Sequence, residues 1–260
     1  MLSDQIFAEM FVPCEKLSHA EAEYAKCLLY DAYLAIAAGA MTLEADDLNA
    51  LTRVCGSAPE TLPLWPSVRK TGAEDAGFVN GYLVRAADWG DSMRLNGAVA
   101  GHPSDVIAAI LAMCTGSDVS GEKILELILL SYRLTWLLFK DMQAGIEGID
   151  ATSSLSLLIP VLAGVCRGDT AKQIENALCV SAAGGVVTEQ VRVGAVTNIK
   201  SGATGYAIAR AMACCRYSRF LKASETIFTG KYGWFRKVAG SEKEPPEPLP
   251  WGEGCLRASV

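Results

Sequence analysis

The sequence holds only two histidines, His19 and His102, and none of its nine cysteines forms a C-x-x-C pair. Zinc and iron–sulfur centres need clustered imidazoles or thiolates, so no protein-built metal site is expected. No block of Lys or Arg occurs, and 23 basic against 29 acidic residues give a net charge of −6. The electrostatic footprint of a nucleic-acid binder is missing, and nucleic acid is not an expected partner. Long apolar runs are missing too. Residues 124–139 are interrupted by Glu126, Ser131 and Arg133, and 155–166 contain Pro160. Both fall short of the roughly 20 residues needed to cross a bilayer and read as core helices, so no membrane partner is expected. The first nine residues carry Asp4 and Glu9 and lack the basic start and apolar stretch of a secretory signal. The cysteines lie mostly in apolar runs and read as reduced core residues. The expected location is cytoplasmic, with an organelle of a eukaryotic cell the alternative.

What is present is a globular chain of 260 residues, 51% hydrophobic and 20% charged. Its length fits one large domain or two small ones. Long stretches of 3.6-residue apolar periodicity dominate, and no sustained alternation is bounded by hairpin turns. An all-α fold is predicted. Ser18 and Glu21 form a capping box for a helix to about Ala38, with Gly39 as its C-terminal stop. A second helix follows Thr42. Pro59, Pro63 and Pro66 mark an irregular connection, after which a core helix runs from Glu74 to about Ala87. Further helices are predicted at 104–114, 121–142, 152–166, 170–182 and 202–216. Residues 242–250 carry Pro245, Pro246, Pro248 and Pro250 among acidic residues and read as a linker or exposed tail.

Three places could carry chemistry. Asp88 and Asp91 are three residues apart and would share a helix face if the helix from Glu74 continued that far. Paired carboxylates can split their pKa values into acid and base roles, though an acidic pair at a helix end in solvent has the same pattern. His102 precedes Pro103, Ser104 and Asp105, a helix-start sequence. An imidazole there titrates near neutral pH beside N–H groups that can hold a carboxylate, while a capping histidine without a ligand reads identically. Lys200, followed by Ser201 and Gly202, places a cation near another helix start. This is an anion site or a solvated lysine. Residues 194–201 nearly spell a Walker A loop, but Ile199 stands where the glycine before the lysine is required, which argues against nucleotide binding.

These pieces occur in one order: Asn80-Gly81, Asp88-Trp89-Gly90-Asp91-Ser92, Gly101-His102-Pro103-Ser104-Asp105, Gly148-Ile149-Asp150, and Lys200 before a Gly/Ala-rich helix. Together they resemble the MmgE/PrpD family, which includes 2-methylcitrate dehydratase, cis-aconitate decarboxylase and iminodisuccinate epimerase. Residues 101–113 and 148–168 are most similar to the 2-methylcitrate dehydratase branch. The resemblance implies a helical domain, a homodimer, and an α+β lid over the site. Residues 1–240 are expected to form the helical domain, and 241–260 a Pro-rich tail leading to a lid that this chain lacks.

Position by position, Asp88 and Asp91 match the first and last acids of the family's D-F-D-D-T motif, Ser92 replaces its threonine and Gly90 its middle acid. His102 matches the histidine of the H-P-S motif, and Lys200 the lysine before the Gly/Ala helix. Ala151 stands where the family often has a histidine. The resemblance thus implies Asp88, His102 and Lys200 as catalytic residues and Asp91, Ser92, Ser104 and Ser201 as substrate contacts, with no cofactor and no metal. It further implies a lyase or isomerase for a small polycarboxylate, such as dehydration of a 2-alkylcitrate. Ala151 and Gly90 also fit a catalytically inactive dimerising or binding module, and a third possibility is a biosynthetic enzyme for a larger apolar acid. Asp88, His102 and Lys200 are expected to converge at one open cavity.

Overall fold

The computed structural model describes residues 17–53, 55–56, 62–63, 70–95, 98–114, 118–140, 148–195 and 197–238. The predicted tail at 241–260 lies outside them. The described residues are mostly helical. The main helices are α1 (His19–Thr42), α2 (Ala45–Arg53), α3 (Ala73–Ala86), α4 (Pro103–Cys114), α5 (Gly121–Lys140), α6 (Leu155–Arg167), α7 (Ala171–Ala182) and α8 (Ile199–Tyr217). Short helices α9 (Thr226–Thr229) and α10 (Trp234–Lys237) follow, and a 3₁₀ turn, Ala151–Ser154, leads into α6. No single described helix is long and apolar enough to cross a membrane.

The capping box at Ser18 and Glu21 forms as predicted, and a second one, Thr170 with Gln173, opens α7. Gly39 is not a stop. It lies inside α1, where an added Cβ would stand 1.9 Å from the Leu83 carbonyl oxygen of α3. A glycine near a helix end has the local chemistry of a C-cap, and here close helix packing uses its small size instead. Two short antiparallel ribbons also form: β1 (Leu62–Pro63) with β2 (Lys70–Thr71), and β3 (Met93–Leu95) with β4 (Ala98–Gly101). Strands of two to four residues are too short to show alternation in a sequence.

The α3–α8 pair is the frame on which the site is built. The two helices run antiparallel. Lys200 of α8 meets Asp88 just past the end of α3, and at the opposite end Arg216 pairs with Glu74 at 3.2 Å. Between these ion pairs Gly205 lies against Phe78 and Gly81, and an alanine Cβ at Gly205 would stand 2.3 Å from the Phe78 carbonyl oxygen. The small residues Gly202, Ala203, Gly205, Ala207 and Ala211 are buried, so backbones rather than long side chains meet. Ile107, Ile110, Leu127, Ile128, Ile159, Leu162 and Ile174 fill the core around this pair.

Gly205→Ala is therefore expected to cost about 1–3 kcal/mol by overpacking and to lower the thermal midpoint. Gly121→Ala, where an added Cβ meets nothing within 4 Å, should be neutral or slightly stabilising. Thermal denaturation of the two variants side by side checks the contrast.

Candidate active site

Helix α3 ends at Ala86, and Asp88 takes a left-handed backbone with φ of 56°. Aspartate tolerates this region better than most residues. The helix does not continue to Asp91, so Asp88 and Asp91 do not share a helical face. Their roles separate.

Asp88 is an exposed carboxylate that accepts a hydrogen bond from Lys200 Nζ at 3.1 Å. Arg85, one turn earlier on α3, brings its guanidinium to 3.8 Å. The bond from Lys200, reinforced by the nearby cations, holds Asp88 below the usual carboxylate range.

Asp91 is spent on architecture. Its Oδ1 accepts from the Ser104 backbone N–H at 3.0 Å, and its Oδ2 accepts from the Tyr132 hydroxyl at 2.5 Å. The loop after Asp88 is thereby pinned to the start of α4 and to α5. Burial, then the negative charge of Asp91, pushes the Tyr132 phenol up.

The Asp91 backbone carbonyl faces His102 Nδ1 in a short hydrogen bond. A carbonyl can only accept, so Nδ1 carries the proton and Nε2 of the neutral ring holds the lone pair. The β3–β4 ribbon returns the chain from this loop to His102, just before α4. Burial, followed by the charge of Arg85, pushes the His102 pKa below its ordinary value of 6.5. The ring is thus poised as a neutral base.

Beneath these groups lies Asp105, 3% exposed. Its nearest polar partners are Arg85 Nε at 3.9 Å and the Thr204 hydroxyl at 3.5 Å. Burial pushes the Asp105 carboxyl up to about 7 despite Arg85, with the charges of Asp91 and Asp150 adding to the rise.

On the far side, Arg192 grips Asp150 with two hydrogen bonds, the Nη2 bond measuring 3.1 Å, and donates from Nη1 to the Lys200 carbonyl at 3.3 Å. Asp150 also caps the 3₁₀ turn, accepting from the Thr152 N–H at 2.9 Å and from its hydroxyl at 2.5 Å. Burial alone would raise the pKa of Asp150, but the bonds from Arg192 and Thr152 outweigh it and the net shift is down.

The remaining predicted residues behave differently from one another. Lys200 lies within the first turn of α8, which begins at Ile199, three residues earlier than the predicted 202. Ser201 donates to the Arg85 carbonyl at 3.4 Å and stitches α8 to α3. Ser92 is exposed. Ser104 is buried, and its hydroxyl has no hydrogen-bond partner among the described residues. The N–H groups after Pro103 are not free for a substrate carboxylate, as the sequence had led us to expect: Asp91 takes that of Ser104, and the His102 carbonyl takes that of Asp105 at 3.0 Å.

Asp88 and Lys200 meet by direct contact, and His102 is bonded to the carbonyl of Asp91, three residues along the chain from Asp88. A polar cavity of about 940 Å³ among Arg167, Asp169, Asn176 and Ser218 lies at the opposite end of α8 and is separate from these residues. Among the described residues no three His, Cys, Asp or Glu side chains are grouped as metal ligands. The cations Arg85 and Arg192 were missed in the sequence. Arg85 stands three residues before Asp88, a spacing that could have flagged it. Arg192 lies in a polar loop with no local signal.

A sequence profile of the MmgE/PrpD N-terminal domain matches residues 10–247. The chain belongs to the MmgE/PrpD family. No curated protein sequence matches it significantly. Dehydratases and decarboxylases occur in the MmgE/PrpD family, and the helical architecture agrees with its N-terminal domain. This member brings together a hydrogen-bonded histidine, a lysine–aspartate pair and two buried or half-buried arginines.

Proposed function

We propose that this MmgE/PrpD protein is a cofactor-independent hydro-lyase for a small polycarboxylate, with a 2-alkylcitrate such as 2-methylcitrate as substrate. The observation that carries the reading is the His102 ring, whose Nδ1–H donates to the carbonyl of Asp91 and whose pKa is lowered by burial, three residues along the chain from the Asp88 that pairs with Lys200. Dehydration needs a base for a proton next to a carboxylate, a donor to the departing hydroxyl, and cations for the carboxylates. In this reading His102 Nε2 takes the carbon-bound proton, and the resulting imidazolium returns it to the leaving hydroxyl. A C–H and a C–O bond break, a carbon–carbon double bond forms, and water leaves with no net proton consumed. Lys200 holds a substrate carboxylate, while the bond to Asp88 aims its ammonium. Arg85 and Arg192 add positive potential behind it.

The working unit is proposed to be a homodimer in the cytoplasm; the exposed Tyr30 and Met41 on α1 support the dimer alone. Ala151, in place of a histidine frequent in the family, favours a second reading, a binding module with the family fold and no turnover.

Proton NMR of the purified chain with 2-methylcitrate, cis-aconitate and citrate separates the two. The hydro-lyase reading predicts that 2-methylcitrate signals give way to those of the unsaturated product. Unchanged spectra for all three compounds with folded protein would leave the binding module as the better account.

A further inference from the structure

We propose that Cys114 and Cys166 are an oxidisable thiol pair that closes into a disulfide between the C-terminal ends of α4 and α6. Cys114 is the last residue of α4, and Cys166 is the penultimate residue of α6. Although 52 positions separate them in sequence, their sulfurs lie 3.8 Å apart. A disulfide bond is about 2.05 Å long, so closure asks for an approach of less than about 2 Å.

The two thiols are unequal in a way that suits the reaction. Cys114 is buried and Cys166 half-buried. The pairing with Cys114 and the charges of Arg167 and Lys123 hold the Cys166 thiol below its ordinary value. Cys166, the more accessible sulfur and the one beside Arg167, is therefore the one that meets an oxidant, and the buried Cys114 resolves it. Burial pushes the thiols of Cys179 and Cys215 up to about 11 and about 12, which leaves them poor nucleophiles at neutral pH.

With a peroxide as oxidant the chemistry balances. The Cys166 thiolate attacks one peroxide oxygen; an S–O bond forms, the O–O bond breaks, and the hydroxide released takes a proton to become water. Cys114 sulfur then attacks Cys166 sulfur; the S–S bond forms, the S–O bond breaks, and a second water leaves with the Cys114 proton. Two thiols are oxidised and one hydrogen peroxide is reduced.

Helix α4 begins directly after His102, and α6 follows the turn capped by Asp150. The bond would therefore tie together the far ends of the two helices that carry one side of the candidate site. The inference draws on the two thiols and their surroundings and is independent of the proposed activity.

The test is to expose the full chain to a slight excess of hydrogen peroxide without reductant, block remaining thiols, and map peptides by mass spectrometry. The expected result is one linked pair, the peptides of Cys114 and Cys166, two hydrogens lighter than their sum and separated by dithiothreitol. The linked form should melt roughly 3–10 °C higher than the reduced form. In Cys114→Ser, or Cys166→Ser if the first variant does not fold, the linked peptide and the shift should both disappear. Recovery of Cys114 and Cys166 as alkylated thiols after the exposed Cys27 has been oxidised, or pairing of Cys166 with a different cysteine, would overturn the proposal.

Discussion

His102→Ala should lower turnover of the proposed polycarboxylate by roughly 10²- to 10⁴-fold while leaving the helical spectrum unchanged. The imidazole has one contact that fixes its tautomer, the bond from Nδ1 to the Asp91 carbonyl, and its other nitrogen is the lone-pair donor. Asp88 is no substitute base of useful strength, because the bond from Lys200 holds its pKa low. The loss should fall on kcat rather than on KM, since a proton carrier acts in the transition state. The same geometry sets the pH profile. With burial and Arg85 depressing its pKa below the ordinary 6.5, the acid-side fall in kcat/KM should be centred below pH 6.5. A fall already centred above 6.5, or full activity in the alanine variant, would remove His102 from the base role.

The second large effect is on stability. Asp105 has a folded-state pKa of about 7 against an ordinary 3.8, so between these values the folded chain binds a proton that the unfolded chain has released. Stability from this group is fully present below about pH 4 and is lost as pH rises through 7. At about 1.4 kcal/mol per pKa unit, the wild type gives up on the order of 4 kcal/mol across that window. Asn cannot ionise. Asp105→Asn should therefore gain on the wild type by a few kcal/mol between pH 4.5 and pH 8, whatever the offset from the altered contact with Arg85. Chemical denaturation of both proteins at the two pH values measures the difference, and parallel pH dependence would refute the buried-acid assignment.

The helices were legible because their apolar residues recur on one face and their starts carry local signals, as at Ser18 and Pro103. Their ends were less so. Gly39 carries a stop signal that packing against Leu83 overrides, and α8 begins three residues before its small-residue run. The ribbon that delivers His102 was invisible, since pairing of Met93–Leu95 with Ala98–Gly101 depends on contacts between strands rather than on a pattern within either.

In the site, His102 and Lys200 stood out because each occupies a helix start. Arg192 did not, because its value comes from reaching Asp150 across 42 residues of sequence. Likewise the N–H groups after Pro103 looked available until Asp91 was found capping one of them. Long-range partners decide which local possibilities are used up.

Titration calorimetry of 2-methylcitrate into the wild-type protein and into Lys200→Ala tests the central claim, that the Lys200–Asp88–His102 cluster receives a small polycarboxylate. The account predicts saturable binding by the wild type and an affinity weaker by roughly tenfold or more in the variant, as for loss of one charged hydrogen bond. Equal affinity in the two proteins, or no binding by the folded wild type, would contradict it.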